Sequence, residues 1–335
     1  MAMRHGSGRR LLGRLTVAVL VDRAVLIPGT SRFRKGVGDA PLVNALRRIV
    51  EKVFVGPYTD VAGVSQWLKD VGADVVFNLT ENVDGDRRKD GHVCALIELL
   101  ELPYTGTRTR GMTLCRDKAV SKLIAAREGF KVPEFFVTRA SAPRLPRQLT
   151  FPLVVKPRLD DASVGINQAS LVRTKAALIK QIAFLEQMDI EDIICEEFIA
   201  GREMLVGFVG RQVMPVREMI IGGGSPRAPV IASYRLKHDK AYQRRWSLKT
   251  RFARLTTTQE RRVNELTRKT AAALDVGTYG RLDLKLTPGG EWVFLEANPN
   301  PGLYPFKGSR YGIWSAIDFD ELIIQILLGA LHAEH

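Results

Sequence analysis

Long apolar runs are missing from this 335-residue chain. None approaches the eighteen or so residues needed to cross a bilayer, which argues against a membrane-spanning helix. Cysteine is scarce and odd in number. Cys94, Cys115 and Cys195 stand far apart, without the paired spacing of a disulfide framework or a thiolate metal site. They are expected to be small buried apolar residues in a reduced, cytoplasmic setting. Acidic residues are also in deficit: 36 Asp and Glu against 50 Lys and Arg leave a net charge of +14. The bases are spread, with clusters at Arg4–Arg14, Arg87–Lys89 and Lys237–Arg254, and no aromatic-studded recognition motif accompanies them. Solvated surface plus phosphate-binding positions explains the charge more simply than nucleic acid as a partner.

The composition that remains, 45% hydrophobic and 26% charged, is that of an ordinary soluble protein. The length exceeds one compact domain, so two or three lobes are expected. Basic residues followed by Leu15–Val21 superficially resemble a signal peptide. The apolar run is short, ends at Asp22-Arg23 and lacks a small-residue cleavage site, so a first strand is expected instead. Strand and helix then alternate: a helix near Pro41–Val50, a strand at Lys52–Val55, a helix near Val61–Asp70 and a strand at Val75–Leu79. A polar loop, Thr80–Asp90, and a helix Gly91–Leu100 follow. That rhythm predicts a parallel sheet with crossover helices. Ligands of such sheets bind beyond the strands' carboxyl ends, which makes the Thr80–Asp90 loop, with Glu81, a candidate substrate wall. Downstream, Thr257-x-x-Glu260 reads as the capping box of a helix reaching Leu274, and an amphipathic helix is expected over Asp318–Leu331.

The densest chemistry lies in Gly280–Leu286 and Glu291–Asn298, two alternating runs separated by Pro288-Gly-Gly290. They read as a β-hairpin. A two-residue Gly289-Gly290 turn places Asp283 opposite Glu296 and Arg281 opposite Asn298, all on one face. A four-residue turn shifts the pairing by two and keeps that face. Like charges facing each other across a ladder are costly in a plain surface hairpin, and a cation removes that cost. Two carboxylates and an amide oxygen suit Mg²⁺ held together with substrate phosphates. Elsewhere, Phe151–Pro157 reads as an apolar strand ending in Lys156, followed by a small polar loop with Ser163 and Gly165. A lysine beside exposed backbone N–H groups makes a phosphate clamp. Gly222–Pro226 reads as a turn with no phosphate role.

The pattern Arg281-x-Asp283…Glu296-x-Asn298-x-x-Pro301-Gly302 resembles the C-terminal signature of ATP-grasp ligases, nearest to the D-alanine–D-alanine ligase branch. Leu102-Pro-Tyr-Thr-Gly106, preceded by Ile97–Glu101, is similar to another segment of that family. The likeness extends from about Val75 to Leu328. It implies an α/β fold with α+β lobes, in the three-lobed ATP-grasp architecture with an N-terminal parallel-sheet α/β domain. The implied divisions are 1–108 (substrate domain), 109–199 (central lobe) and 200–335 (catalytic and metal lobe). By the same resemblance, Asp283, Glu296 and Asn298 hold two Mg²⁺ ions, for which Mn²⁺ can substitute, on ATP. Arg281 contacts the acyl phosphate and the tetrahedral intermediate, and Lys237 reaches the γ-phosphate. Lys118, Lys156, Ser163 and Gly165 belong to the phosphates. Glu196, with Glu197, Phe198 and Ile199, holds adenine, and Glu203 the ribose. A homodimer is expected from the family.

The substrate side departs from the pattern. The family's Gly-Gly-x-Ser loop and nearby Glu after the first strand are replaced by Val21–Ser31 with no matching Glu. Its paired serines become Ala162-Ser163, its active-site Tyr becomes His238, and its Ser-His-Ser segment becomes Pro305-Phe306-Lys307. Lys307 keeps the ability to pair with a carboxylate, as a point charge. The expectation is an ATP-dependent carboxylate–amine ligase acting through an acyl phosphate on an amino acid or small peptide other than D-alanine. D-alanine–D-alanine ligase itself, and a nucleotide-binding protein without ligase chemistry, are the alternatives.

Overall fold

A computed structural model describes residues 11–34, 39–139, 145–160, 163–222, 231, 235–236, 239–305 and 312–332. Its first sheet has parallel strands in the order β2-β1-β3, formed by β1 (Thr16–Val21), β2 (Lys52–Pro57) and β3 (Val75–Asn78). Crossover helices α1 (Ala40–Ile49), α2 (Val61–Asp70) and α3 (Asp90–Leu99) cover it. Every residue of β3 is buried, as expected where helices cover both faces of a parallel sheet. Val17, Val19 and Val21 point into one core with Leu42 and Leu46 of α1; Ala18 and Leu20 point into another with Val64, Leu68 and Val93. The segment Pro103–Thr105 runs along β3, bonding to both sides of Val76. Thr278 then accepts from Gly106 N–H through its hydroxyl (2.9 Å) and donates its own N–H to the Gly106 carbonyl (3.1 Å). This stitch joins the first sheet to the third.

Helices α4 (Thr109–Arg116) and α5 (Lys118–Arg127) lead into a four-stranded sheet ordered β4-β7-β5-β6. Its strands are β4 (Phe135–Thr138), β5 (Leu153–Pro157), β6 (Leu171–Val172) and β7 (Ile193–Glu197). Helix α6 (Lys175–Glu186) seals its apolar core. Pro157 closes β5, its last pair being Ile193.

The third sheet runs β11-β10-β8-β12-β13, with β9 paired to β8. It comprises β8 (Arg202–Val209), β9 (Gln212–Val213), β10 (Arg217–Ile220), β11 (Lys249–Phe252), β12 (Tyr279–Leu286) and β13 (Trp292–Asn298). Short α7 (Lys240–Arg245) precedes β11, and α8 (Thr257–Ala273) packs behind the sheet on Leu282, Leu284 and Phe294. The capping box of α8 is Thr256 with Gln259, one residue earlier than Thr257 with Glu260. Helix α9 (Phe319–Leu331) returns to the first sheet, where Leu322, Ile323, Ile326 and Leu327 share a core with β1 and α1.

The β12–β13 hairpin pairs Asp283 with Glu296 and Arg281 with Asn298, but not by the expected turn. Gly290 N–H bonds to Thr287 O (2.9 Å) and Thr287 N–H to Glu291 O (3.0 Å). The loop therefore has three residues and ends on Gly290, with φ +83°. An odd loop would set Asp283 opposite Leu295 and turn Glu296 to the far face. A bulge between Asp283 and Leu284 removes the mismatch, because Leu295 is left over and Glu296 returns to the face of Asp283. Replacing Gly290 with Ala forces a β-carbon into left-handed backbone. The expected cost is about 1–2 kcal/mol in urea unfolding, and an unchanged midpoint would refute this account of the turn.

Candidate active site

Between the second and third sheets lies an open cleft. Val154, Lys156 and Glu196–Ile199 form one wall; Glu203, Leu205, Met219, Asp283, Lys285 and Glu296 form the other. The walls meet in buried charge. Glu196 is 3% exposed, with Lys156 Nζ 2.5 Å from Oε1 and Lys122 Nζ 2.9 Å from Oε2. Lys122 also donates to the carbonyl of Leu295, the bulged residue, at 2.5 Å. One ammonium thus holds both a carboxylate of the second sheet and the irregular point of the hairpin.

Burial is the largest influence on all three ionisable groups. At Glu196 the two lysines outweigh it and hold the carboxyl below its usual range. At Lys156 burial is outweighed by Glu196 and Glu296, and the pKa rises. At Lys122 burial prevails over Glu196, with Lys156 repelling it further, and the pKa falls from 10.5 to about 8. Glu196 therefore lies between two lysines, on the cleft wall where the resemblance places adenine. Lys122 itself was missed. Its signal was the i, i+4 spacing behind Lys118, which sets both lysines on one helix face.

The remaining candidates are distributed as follows. Asp117 caps α5 by accepting from the N–H groups of Ala119 and Val120, which places Lys118 in the first turn. Lys118 is buried, and its ammonium donates to the Asp160 carbonyl. Ser163 (φ +63°) lines the cleft; Gly165 does not, and packs against Leu185 and Pro157. Glu197 is exposed at the cleft edge. Phe198 N–H is engaged by the Pro152 carbonyl (3.1 Å), so it is not available to an adenine ring, and Ile199 is the remaining backbone donor there. Glu203 pairs with Lys285 at 3.1 Å. Lys237, His238 and Lys307 lie outside the described residues, as does most of Gly222–Pro226.

On the hairpin, Arg281 grips Asp283 with two bonds, Nε to Oδ1 at 2.5 Å and Nη2 to Oδ2 at 3.0 Å. Two groups expected to act separately thus neutralise each other. Asn298 carries a buried amide nitrogen without a partner. A half rotation of that amide presents oxygen instead, so Asp283, Glu296 and Asn298 form an oxygen-donor set suited to Mg²⁺. Among the described residues no group of three or more His, Cys, Asp or Glu could hold a metal.

The first sheet delivers a different charge pattern. Asp22, at the end of β1, accepts from Glu81 N–H (3.0 Å), Asn82 N–H (3.2 Å) and Asn82 Nδ2 (2.6 Å), which pins the start of the Thr80–Asp90 loop. Burial, reinforced by Glu81, raises Asp22 to about 6, and burial with Glu81 and Asp22 does the same at Asp39. Glu81 pairs with Arg87 at 2.9 Å. Tyr279, two residues before Arg281, is buried, and burial, with Glu81 and Asp39 adding to it, raises its phenol pKa. All three cysteines are buried and free, with burial the main cause of thiol pKa values near 12. No described helix is long and apolar enough to cross a membrane.

A family model, the D-ala D-ala ligase C-terminus, matches residues 127–328. The chain belongs to the D-alanine–D-alanine ligase family of ATP-grasp enzymes. As a member it is an ATP-dependent, ADP-forming ligase. It is 33% identical over 230 residues to the uncharacterized protein y4sG of Sinorhizobium fredii, covering 68% of this chain and 66% of that one. It is 32% identical over 291 residues to a D-alanine–D-alanine ligase of Methylobacterium radiotolerans, covering 84% and 88%. The fold is shared with the ATP complex of D-alanine–D-alanine ligase from Bacillus anthracis (TM-score 0.70, 20% identity, 95% and 97% covered). It is also shared with the VanG D-Ala:D-Ser ligase of Enterococcus faecalis (TM-score 0.65, 21% identity, 95% and 99% covered).

The depressed Lys122 has a measurable consequence. Between pH 8 and 10 the unfolded chain holds a proton on this lysine that the folded chain has released, so stability rises with pH through that window. Lys122→Met should flatten the rise, read as urea unfolding free energy at pH 7.5, 8.5 and 9.5. An identical slope in both proteins would exclude Lys122 as its source.

Proposed function

We propose that this ligase joins a carboxylate to an amine through an acyl phosphate, and that its substrates are an amino acid or small peptide other than D-alanine. The observation that carries the reading is the pairing of Asp283 with Glu296 on the same hairpin face as Arg281, at the mouth of a cleft lined by Lys156, Glu196 and Glu203. Amide formation in water is uphill, so the carboxylate first takes the γ-phosphoryl group of ATP. The amine then attacks, and inorganic phosphate leaves. Asp283, Glu296 and Asn298 would hold Mg²⁺ as two ions, with Mn²⁺ an acceptable replacement; when bound, the metal offsets phosphate charge. Lys156 and Lys118 add positive charge at the phosphates, and Ile199 with Glu203 orients the nucleoside. Arg281, released from Asp283 as ligands arrive, donates to the developing oxyanion. Glu81, beside Asp22 and Asp39, is proposed to face the amine, with Lys307 toward a carboxylate and Lys237 toward the γ-phosphate. The reading carries with it the lobes 1–108, 109–199 and 200–335, a cytoplasmic setting, small-molecule rather than nucleic-acid partners, and a homodimer.

A second reading, D-alanine–D-alanine ligase proper, is favoured by the relatives that bear that name. Phosphate release from ATP over a panel of D- and L-amino acids and dipeptides separates the two. The first expects D-alanine to be a poor substrate; highest turnover with D-alanine alone establishes the second. With whichever substrate proves active, Glu296→Gln and Arg281→Ala should each lower kcat by about a hundredfold or more. Wild-type kcat in Glu296→Gln would exclude the metal assignment.

A further inference from the structure

Arg217 is absent from the chemistry above, yet it is buried on the same sheet face. It pairs with Leu205 of β8, which pairs in turn with Asp283 of β12. Directly opposed residues share a face, so Arg217, Leu205 and Asp283 form one row across the sheet. Met219, two residues along β10 from Arg217, lines the cleft, as does Leu205. Arg217 is 6% exposed. Its guanidinium lies over the Phe252 ring, 4.4 Å from the centroid, and close against Gly312, where a β-carbon would come within 3.1 Å of Nη2.

What Arg217 lacks is an anion. Nη2 has only a long bond, 3.4 Å, to the hydroxyl of Thr250, and Nε is buried with no partner. Burial alone sets its pKa, downward, with no acidic neighbour opposing it. Glu218, the adjacent residue, faces the other side of the sheet and holds Arg202 (2.8 Å) and Arg251 (2.9 Å). Asp283 is taken by Arg281. Residues 223–230, 232–234, 237–238 and 306–311, outside the described structure, contain no Asp or Glu. Among the described residues Arg217 therefore has no carboxylate, although a buried guanidinium without one is among the costliest groups a fold can keep. The aromatic and glycine surfaces around it leave its planar, forked edge as the part still able to bond, and that edge matches carboxylate or phosphate oxygens.

We propose that Arg217 is an oxyanion-recognition residue of the ligase site, receiving a carboxylate of a substrate or the transferred phosphate, a reading that rests on the proposed ligase function. Its place on the sheet, in the row of Leu205 and Asp283 and next to Gly312, puts the anion on the cleft side of β10. Specificity then has a positive determinant on β10, separate from Arg281, and it selects substrates that bring an anionic group to that side.

The test is calorimetric titration of the full chain, already saturated with Mg·ADP, with inorganic phosphate in one arm and acetate in the other. Wild type, Arg217→Met and Arg217→Lys are compared. Arg217→Met should weaken anion binding by about tenfold or more, with Arg217→Lys intermediate because it keeps the charge and loses the fork. Mg·ADP affinity should be the same in all three, which also shows that the variants fold. Loss confined to phosphate assigns the transferred group; loss confined to acetate assigns the substrate carboxylate. Equal anion affinity in wild type and Arg217→Met overturns the proposal, and so does the absence of saturable binding of either anion to wild type. Failure of wild type to bind Mg·ADP overturns the ligase reading instead, so the two failures are distinguishable.

Discussion

A single buried carboxylate between two ammonium groups is the constraint on which the rest of the site depends. Glu196 comes from the second sheet, Lys156 from the neighbouring strand of that sheet, and Lys122 from the helix behind the third. None of the three could stay charged alone at this depth. Together they lock the inner wall of the cleft and leave its outer wall for ligand. Because Lys122 also donates to the Leu295 carbonyl, the same ammonium reaches the bulge of the β12–β13 hairpin. Electrostatics inside the protein and geometry at the reacting end are therefore one problem, solved by one lysine.

Much of this was legible beforehand. The parallel first sheet, the β12–β13 hairpin and the opposition of Asp283 and Glu296 all follow from period-two and helical patterning, which depends on residues near one another in sequence. The hairpin pairing was nonetheless reached through the wrong turn. Loop length and bulge are both offsets of one residue that cancel, and alternation of side chains reports only their sum. The spacing behind Lys118 marks the helix face of Lys122 but not its partners, because Glu196 and Leu295 lie far downstream and in other sheets. The partners of Glu196 were hidden for the same reason: the lysines that bury it come from a distant helix and from the neighbouring strand. Arg281 and Asp283 carried separate roles in the sequence, but two residues apart on one strand they meet on one face and neutralise each other in the ligand-free fold.

The nucleotide side and the substrate side differ in how narrowly a sequence can specify them, for a physical reason. Phosphates and a divalent cation demand particular charges at particular spacings, so the motif is narrow. A substrate-facing surface built from strand ends and loops of distant segments, as proposed for Glu81 and Arg217, has no such fixed spacing. Each is an ordinary residue in its own stretch of chain. Only the sheet register shows that Arg217 shares a row with Asp283, and only the register shows that Glu218 does not.

The helix Phe319–Leu331 lies against the first sheet, whose strands are complete by Asn78. During synthesis that sheet emerges well before its covering helix. At ribosomal rates of about 5–20 residues per second, the apolar face of Val17, Val19 and Val21 waits roughly 10–50 s for Leu322, Ile323 and Ile326 on that helix to arrive. The first sheet is thus made long before it is covered, and its open face is what a chaperone would meet on the nascent protein.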